Sequence, residues 1–125
     1  MNITFEPTQK YIFVHVTGKI DLEMSKQMFV KLLGICVEQK LFKVIVDYRD
    51  VEGFITIIDR LSYLEGIDSL HKAYLNLGMP KLRIAYLAPR KLDITESAIT
   101  DRRSELTFDN MATHDLKAAE QWVTK

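Results

Sequence analysis

The chain has little of several features that would assign it to a specialised class of protein. It contains one cysteine, Cys36, among 125 residues, so an internal disulfide is excluded and a reducing compartment is favoured. No charge of one sign dominates, because 17 lysines and arginines balance 17 aspartates and glutamates. Such a chain has no long-range field to attract nucleic acid or an anionic membrane, and we expect no nucleic-acid partner.

Long apolar runs are also missing. A membrane-spanning helix needs roughly 18 or more consecutive apolar residues, and no run in this sequence approaches that length. The first residues, MNITFEPTQK, lack the basic and then apolar pattern of an export signal. We therefore expect a cytoplasmic protein without a transmembrane segment, folded as a single domain over residues 1–125.

What the sequence does contain is the alternation of strands and helices that is typical of an α/β protein. The predicted strands are Ile3–Glu6, Lys10–Thr17, Lys43–Tyr48, Leu82–Ala88 and an edge strand Glu105–Phe108. The predicted helices are Leu22–Gln39, one or two between the third and fourth strands, Asp93–Arg103, and a last helix from Thr113 or His114 to Val123. The pattern predicts a mixed sheet of about five strands, an N-terminal hairpin followed by parallel βα units, with four or five helices.

The helical segment between the third and fourth strands carries two apolar stripes. The first stripe comprises Phe54, Ile57, Ile58, Leu61 and Leu64, and the second comprises Ile67, Leu70 and Tyr74. The stripes change phase at Gly66, so the sequence predicts a kink or two shorter helices there. The alternative is that one stripe faces a second subunit or an apolar ligand.

Several stretches carry a family resemblance: YIFVHVTGKID at 11–21, KVIVDYRDVEG at 43–53, RIAYLAP at 83–89 and AAEQWV at 118–123. The Asp59–Arg60 pair, and Asp101-Arg102-Arg103 followed by Phe108-Asp109, belong to the same resemblance. Together with the order of the predicted elements, they resemble the STAS domain of sporulation-type anti-anti-sigma factors. The chain is most similar to the bacterial SpoIIAA-like branch, which is related to Sec14-like lipid-binding domains. These stretches are hydrophobic patterns, and they imply a non-enzymatic regulatory or protein-interaction module.

The resemblance also points to a site. In the signalling members of the superfamily, the loop after the third strand presents a serine that a kinase phosphorylates. Thr56 occupies the matching place here, without the surrounding Asp-Ser-Ser-Gly-like turn, so it is the candidate acceptor of an alternative phospho-switch. Functional loops of parallel sheets lie beyond the carboxyl ends of strands. The predicted partner-binding or ligand-binding residues are Tyr48, Arg49, Phe54, Thr56, Ile57 and Arg60.

No metal site, catalytic residue or cofactor is expected. No histidine has a second ligand at metal-binding spacing along the chain. Carboxylates between Asp47 and Asp59 gather near the third strand and could act as an acid–base pair, but salt bridging with Arg49 and Arg60 is the simpler explanation.

Three functions remain open. The resemblance favours a module that binds a protein partner, with a homodimer as one form of partnership. The second is a carrier or sensor of a small apolar ligand or lipid, with a pocket lined by Phe54, Ile57, Ile58 and Leu61. The third is a small enzyme that uses the carboxylates of the third-strand loop, for which no motif supplies a reaction class.

Overall fold

The computed structural model describes residues 1–53, 57–90 and 106–125, with residues 57–60 described as helix backbone. Within these ranges the chain forms one sheet of five strands and three helices. In chain order they are β1 (Asn2–Pro7), β2 (Ile12–Lys19), α1 (Leu22–Gln39), β3 (Lys43–Glu52), α2 (Ile57–Asn76), β4 (Arg83–Leu87), β5 (Asp109–Thr113) and α3 (Leu116–Val123). The predicted α/β class is confirmed.

The strands lie side by side in chain order. β1 runs antiparallel to β2, and β2, β3, β4 and β5 run parallel to one another. This is the predicted N-terminal hairpin followed by parallel βα units. Because parallel strands end on the same side of a sheet, the carboxyl ends of β2 to β5 meet along one edge, which we call the carboxyl edge.

Alternation along the strands gives the sheet two packed faces. One face carries Val44 and Val46 of β3 and packs against Phe29 and Leu32 of α1 in a large core to which α2 also contributes. The other face carries Ile45, Ala85 and Leu87 and packs against Ala119 and Val123 of α3. Full burial of a side chain such as Leu32 contributes roughly 1.5–3 kcal/mol, so these two layers hold the carboxyl edge in place.

The ends of α1 follow from local chemistry. The Asp21 carboxylate accepts a hydrogen bond of 3.1 Å from the backbone N–H of Met24, which satisfies a donor that the first turn leaves unpaired. At the other end Lys40 adopts a left-handed conformation with φ of 56°, which stops the helix. The predicted helix Leu22–Gln39 and its cap are therefore confirmed.

Two strand predictions need correction. β3 continues past Tyr48 to Glu52, because its second half pairs with β2 as far as Lys19. The last strand is β5, which lies later in the chain than the predicted Glu105–Phe108. Its sequence, DNMAT, is largely polar, so strand propensity does not predict it. Parallel pairing with β4, from Arg83 opposite Asp109 onward, decides its position at the sheet edge.

α2 is one continuous helix, so the prediction of two shorter helices is wrong. The sequence argument counted apolar residues only, whereas Asp68 and His71 are 7% and 0% exposed and are buried along with Leu64, Ile67 and Tyr74. A Cβ at Gly66 would lie 3.4 Å from Cε of Lys26 in α1, a contact that this flexible side chain can accommodate, so packing does not require glycine there. A kink at Gly66 stays a prediction.

The last helix begins slightly later than predicted. Asp115 is its cap and accepts a hydrogen bond of 3.2 Å from the backbone N–H of Lys117, so α3 starts at Leu116 and ends at Val123. The helix predicted over Asp93–Arg103 lies outside the described residues. Of the helices in the described ranges, none is both long enough and apolar enough to cross a membrane.

Candidate functional site

The carboxyl edge gathers polar residues from the ends of β2 and β3. β3 passes Asp47, Arg49 and Asp50 before it reaches Gly53, whose φ of +83° is a left-handed conformation that glycine adopts without strain. His15 of β2 lies beside Asp47 in the parallel register, and a register shift follows directly after His15. We call His15, Asp47, Arg49 and Asp50 the edge cluster.

Asp47 and Arg49 form the inner pair of the edge cluster. The Asp47 side chain is 4% exposed, and its Oδ1 and Oδ2 accept hydrogen bonds from Nε and Nη2 of Arg49 at 2.9 and 3.0 Å. Oδ1 also accepts a hydrogen bond of 3.0 Å from the backbone N–H of Arg49. A forked guanidinium pair of this kind fixes both side chains in one geometry.

The pKa of Asp47 follows from this pairing. Burial alone would raise it, but the hydrogen bonds and the charge of Arg49 outweigh burial and hold the pKa of the carboxyl below its ordinary value. The pKa of Arg49 is raised in return, chiefly by its side-chain hydrogen bond to Asp47. Both side chains therefore stay ionised at neutral pH.

His15 and Asp50 form the outer pair. Nε2 of His15 lies 3.0 Å from Oδ2 of Asp50 and 4.0 Å from Oδ2 of Asp47. The side chains of His15 and Asp50 are 38% and 63% exposed, so both are accessible from solvent. The edge cluster is thus anchored on its inner side and open on its outer side.

A group of three tyrosines lies on the other face of the same edge. The rings of Tyr48 and Tyr86 stack with centroids 6.3 Å apart, and Tyr63 of α2 approaches both hydroxyls. Burial raises the pKa of all three phenols, so they stay neutral at physiological pH. The buried Tyr63 hydroxyl makes no hydrogen bond of regular geometry with the described residues.

A second histidine–aspartate group lies beneath α2, and we call Asp68, His71 and Thr107 the buried cluster. The backbone N–H of Leu82 donates to Nε2 of His71 at 3.2 Å, so the ring carries its proton on Nδ1. Nδ1 then donates to Oγ1 of Thr107, and that hydroxyl donates to Oδ1 of Asp68, both at 2.7 Å. These bonds tie α2 to the segments that precede β4 and β5.

The predicted site residues lie in different parts of the structure, and some lie outside the described residues. Tyr48 and Arg49 both lie at the carboxyl edge, but strand alternation directs them to opposite faces. Phe54 and Thr56 lie outside the described residues. Ile57 and Arg60 belong to the first turn of α2, where the structure describes backbone alone.

Sequence reasoning did not predict the contact between His15 and Asp50. They are 35 positions apart, and it is the parallel pairing of β2 with β3 that brings them together. The usable signal was a histidine near the end of one predicted strand and aspartates at the end of the next, since adjacent parallel strands end at the same edge.

Comparisons with solved structures bear on the fold. An uncharacterized protein of the DUF3478 family with a SpoIIAA-like fold, from Shewanella loihica PV-4, aligns with 98% of this chain and 92% of its own, with 20% identity and a TM-score of 0.55. The chain has the SpoIIAA-like fold. The unphosphorylated anti-sigma factor antagonist SpoIIAA aligns with 96% of this chain and 95% of its own, with 14% identity and a TM-score of 0.55.

The predicted resemblance is therefore confirmed at the level of the SpoIIAA-like fold. No family model matches the sequence, and no curated protein matches it. At these identities the likeness carries the fold alone, and a fold hosts many functions. The function of this SpoIIAA-like chain has to be argued from the carboxyl edge.

Proposed function

We propose that the chain is a non-enzymatic regulatory module of the cytoplasm that binds a protein partner through the carboxyl edge of its sheet. The observation that carries the proposal is the exposed charge of the edge cluster, where the side chains of Asp50 and Arg49 are 63% and 38% exposed. Such charges steer a partner and select for complementary charge. The SpoIIAA-like fold supports the proposal, because one protein that shares it is an anti-sigma factor antagonist.

Asp47 and the three tyrosines of the carboxyl edge are poorly suited to acid–base catalysis. General acid–base catalysis works best with groups whose pKa lies near the ambient pH. The pKa of Asp47 is displaced downward and those of the three tyrosines upward, all away from neutrality. Cys36 is buried in the core, and burial raises its pKa to about 12, so it is a poor nucleophile.

Charge reversal at Asp50 tests the partner-binding proposal. Tagged chain is recovered from its source cells, and the proteins that accompany it are quantified by mass spectrometry. We expect Asp50→Lys to lower recovery of a specific partner at least about tenfold, which corresponds to about 1.4 kcal/mol. Glu38→Lys is the matched control, because Glu38 is an exposed acid in the last turn of α1, far from the carboxyl edge.

Arg60→Ala belongs in the same experiment, because Arg60 is the predicted contact at the start of α2. We expect it to reduce recovery of the same partner while the folded state, followed by circular dichroism, is retained. If Asp50→Lys and Arg60→Ala both recover the wild-type set of proteins, the carboxyl edge is not the binding surface.

Native mass spectrometry of the purified chain compares this proposal with the alternatives. We expect a bare chain or a homodimer. A small molecule that is lost on denaturation would replace the proposal with the carrier of an apolar ligand. One covalent phosphate, mapped to Thr56, would instead make the module a phospho-switched regulator.

A further inference from the structure

The edge cluster brings together a set of atoms that proteins use to bind transition metals. Nε2 of His15 and one carboxylate oxygen each from Asp47 and Asp50 lie within 4.8 Å of one another. They come from two adjacent parallel strands that pack on both faces, so their backbones are held in place. The cluster is therefore a convergent group on a rigid support.

The distances suit one shared cation. Ligand atoms about 2.1 Å from a metal are separated by about 3.0 Å when they subtend a right angle, and by up to about 4.2 Å when they are opposite. Nε2 of His15 lies 3.0 Å from Oδ2 of Asp50 and 4.0 Å from Oδ2 of Asp47, both within that range.

The local charge is also suitable. The Arg49 guanidinium interacts with three carboxylates, those of Asp47, Asp50 and Asp115, so the carboxylates outnumber the guanidinium around the edge cluster. Arg49 and a metal do not exclude each other on Asp47, since a carboxylate oxygen offers two lone pairs. Arg49 then orients the carboxylate as an outer hydrogen-bond partner, a common arrangement around metal ligands.

We propose that His15, Asp47 and Asp50 bind one divalent first-row transition-metal ion, with water in the remaining positions. One imidazole and two carboxylates suit Zn²⁺, Co²⁺ or Mn²⁺, whereas Ca²⁺ and Mg²⁺ prefer oxygen ligands throughout. The exposed sides of His15 and Asp50 give the ion a path from solvent. This departs from the expectation of no metal site, which rested on spacing along the chain.

Isothermal titration calorimetry tests the site with zinc chloride and the untagged chain, previously treated with a chelator. We expect saturable binding of one Zn²⁺ per chain, weakened at least about tenfold by His15→Ala and by Asp50→Asn. Both substituted side chains are partly exposed, so the variants are expected to fold, and circular dichroism checks this. His114→Ala is the matched control, because it removes a histidine that bonds to the backbone oxygen of Ala88 outside the cluster.

Cobalt(II) chloride supplies an independent readout, since a bound Co²⁺ changes its visible absorption spectrum. The proposal requires that change in the wild-type chain and in His114→Ala, and its loss in His15→Ala. Binding that is equal in all variants is adventitious and overturns the proposal, as does the absence of saturable binding to the wild type. Neither titration involves a protein partner, so failure here leaves the partner-binding proposal standing.

Discussion

The edge cluster and the buried cluster contain the same pair of residue types in opposite environments. In the buried cluster both ring nitrogens of His71 have protein partners, and the Asp68 side chain is 10% exposed. In the edge cluster His15 faces Asp50, whose side chain is 63% exposed. A histidine–aspartate pair that is closed on all sides holds elements together, whereas one that is open on one side is free to bind something else.

The buried cluster explains why α2 tolerates polar residues in its core-facing stripe. Asp68 accepts hydrogen bonds of 2.7 Å from both the backbone N–H and the hydroxyl of Thr107, and it lies 3.5 Å from the ammonium group of Lys72. A buried polar group costs stability only when its hydrogen bonds are left unmade. Because its hydrogen bonds are made, the buried cluster holds the segment before β5 against α2. An apolar contact would otherwise do this.

The largest effect is expected from His71→Ala. The substitution leaves the Leu82 N–H without its acceptor and the Thr107 hydroxyl without its donor, and it opens a cavity. We therefore expect a loss of about 2–5 kcal/mol in the free energy of unfolding. Urea denaturation measures the loss. His114→Ala serves as the control and should cost less than about 1 kcal/mol, and equal losses would mean that the buried cluster does not stabilise the fold.

A smaller loss is expected from Arg49→Ala. The substitution leaves the buried Asp47 carboxylate with one backbone hydrogen bond, and because Arg49 is partly exposed we expect a cost of about 1–3 kcal/mol. Arg49→Lys keeps the charge but loses the forked pair of hydrogen bonds, so its free energy of unfolding should lie between those of the wild type and Arg49→Ala. A variant as stable as the wild type would show that solvent replaces Arg49 without cost.

The pH dependence of stability separates the clusters further. Burial lowers the pKa of His71, a lowering that Lys81 assists and Asp68 opposes, from an ordinary value of 6.5. Below pH 6.5 the unfolded chain therefore takes up a proton that the folded chain resists, and stability falls as the pH drops. His71→Gln removes this titration, so its free energy of unfolding should change less than that of the wild type between pH 7 and about pH 5. If the free energies of unfolding of the wild type and His71→Gln change equally with pH, His71 is not the source of this pH dependence.

Sequence reasoning predicted local features of the fold but not the long-range contacts of the two clusters. The helix from Leu22 to Gln39 was predictable because Asp21 caps it through a contact three residues away. Asp68 and Thr107 are 39 positions apart, and no local pattern records their contact. A general rule of parallel sheets predicts a functional region at the carboxyl end of β3, but the rule does not say which side chains meet there.

The smallest effect on stability is expected at the open side of the edge cluster. Asp50→Asn removes one exposed charge beside Arg49 and His15, and exposed charge pairs contribute about 0–1 kcal/mol, so the free energy of unfolding should scarcely change. Thermal denaturation in low-salt and high-salt buffer tests this, since screening should erase whatever difference remains. A marked loss of stability would place Asp50 among the structural residues.

The most direct test of the difference between the clusters is a side-by-side urea denaturation of Asp68→Asn and Asp50→Asn, the same substitution of an aspartate in each cluster. We predict that Asp68→Asn lowers the free energy of unfolding by at least about 1–3 kcal/mol, because two hydrogen bonds to a buried carboxylate are weakened. Asp50→Asn should stay within about 0.5 kcal/mol of the wild type. Equal losses, or a larger loss for Asp50→Asn, would contradict the claim that the carboxyl edge is kept open for binding.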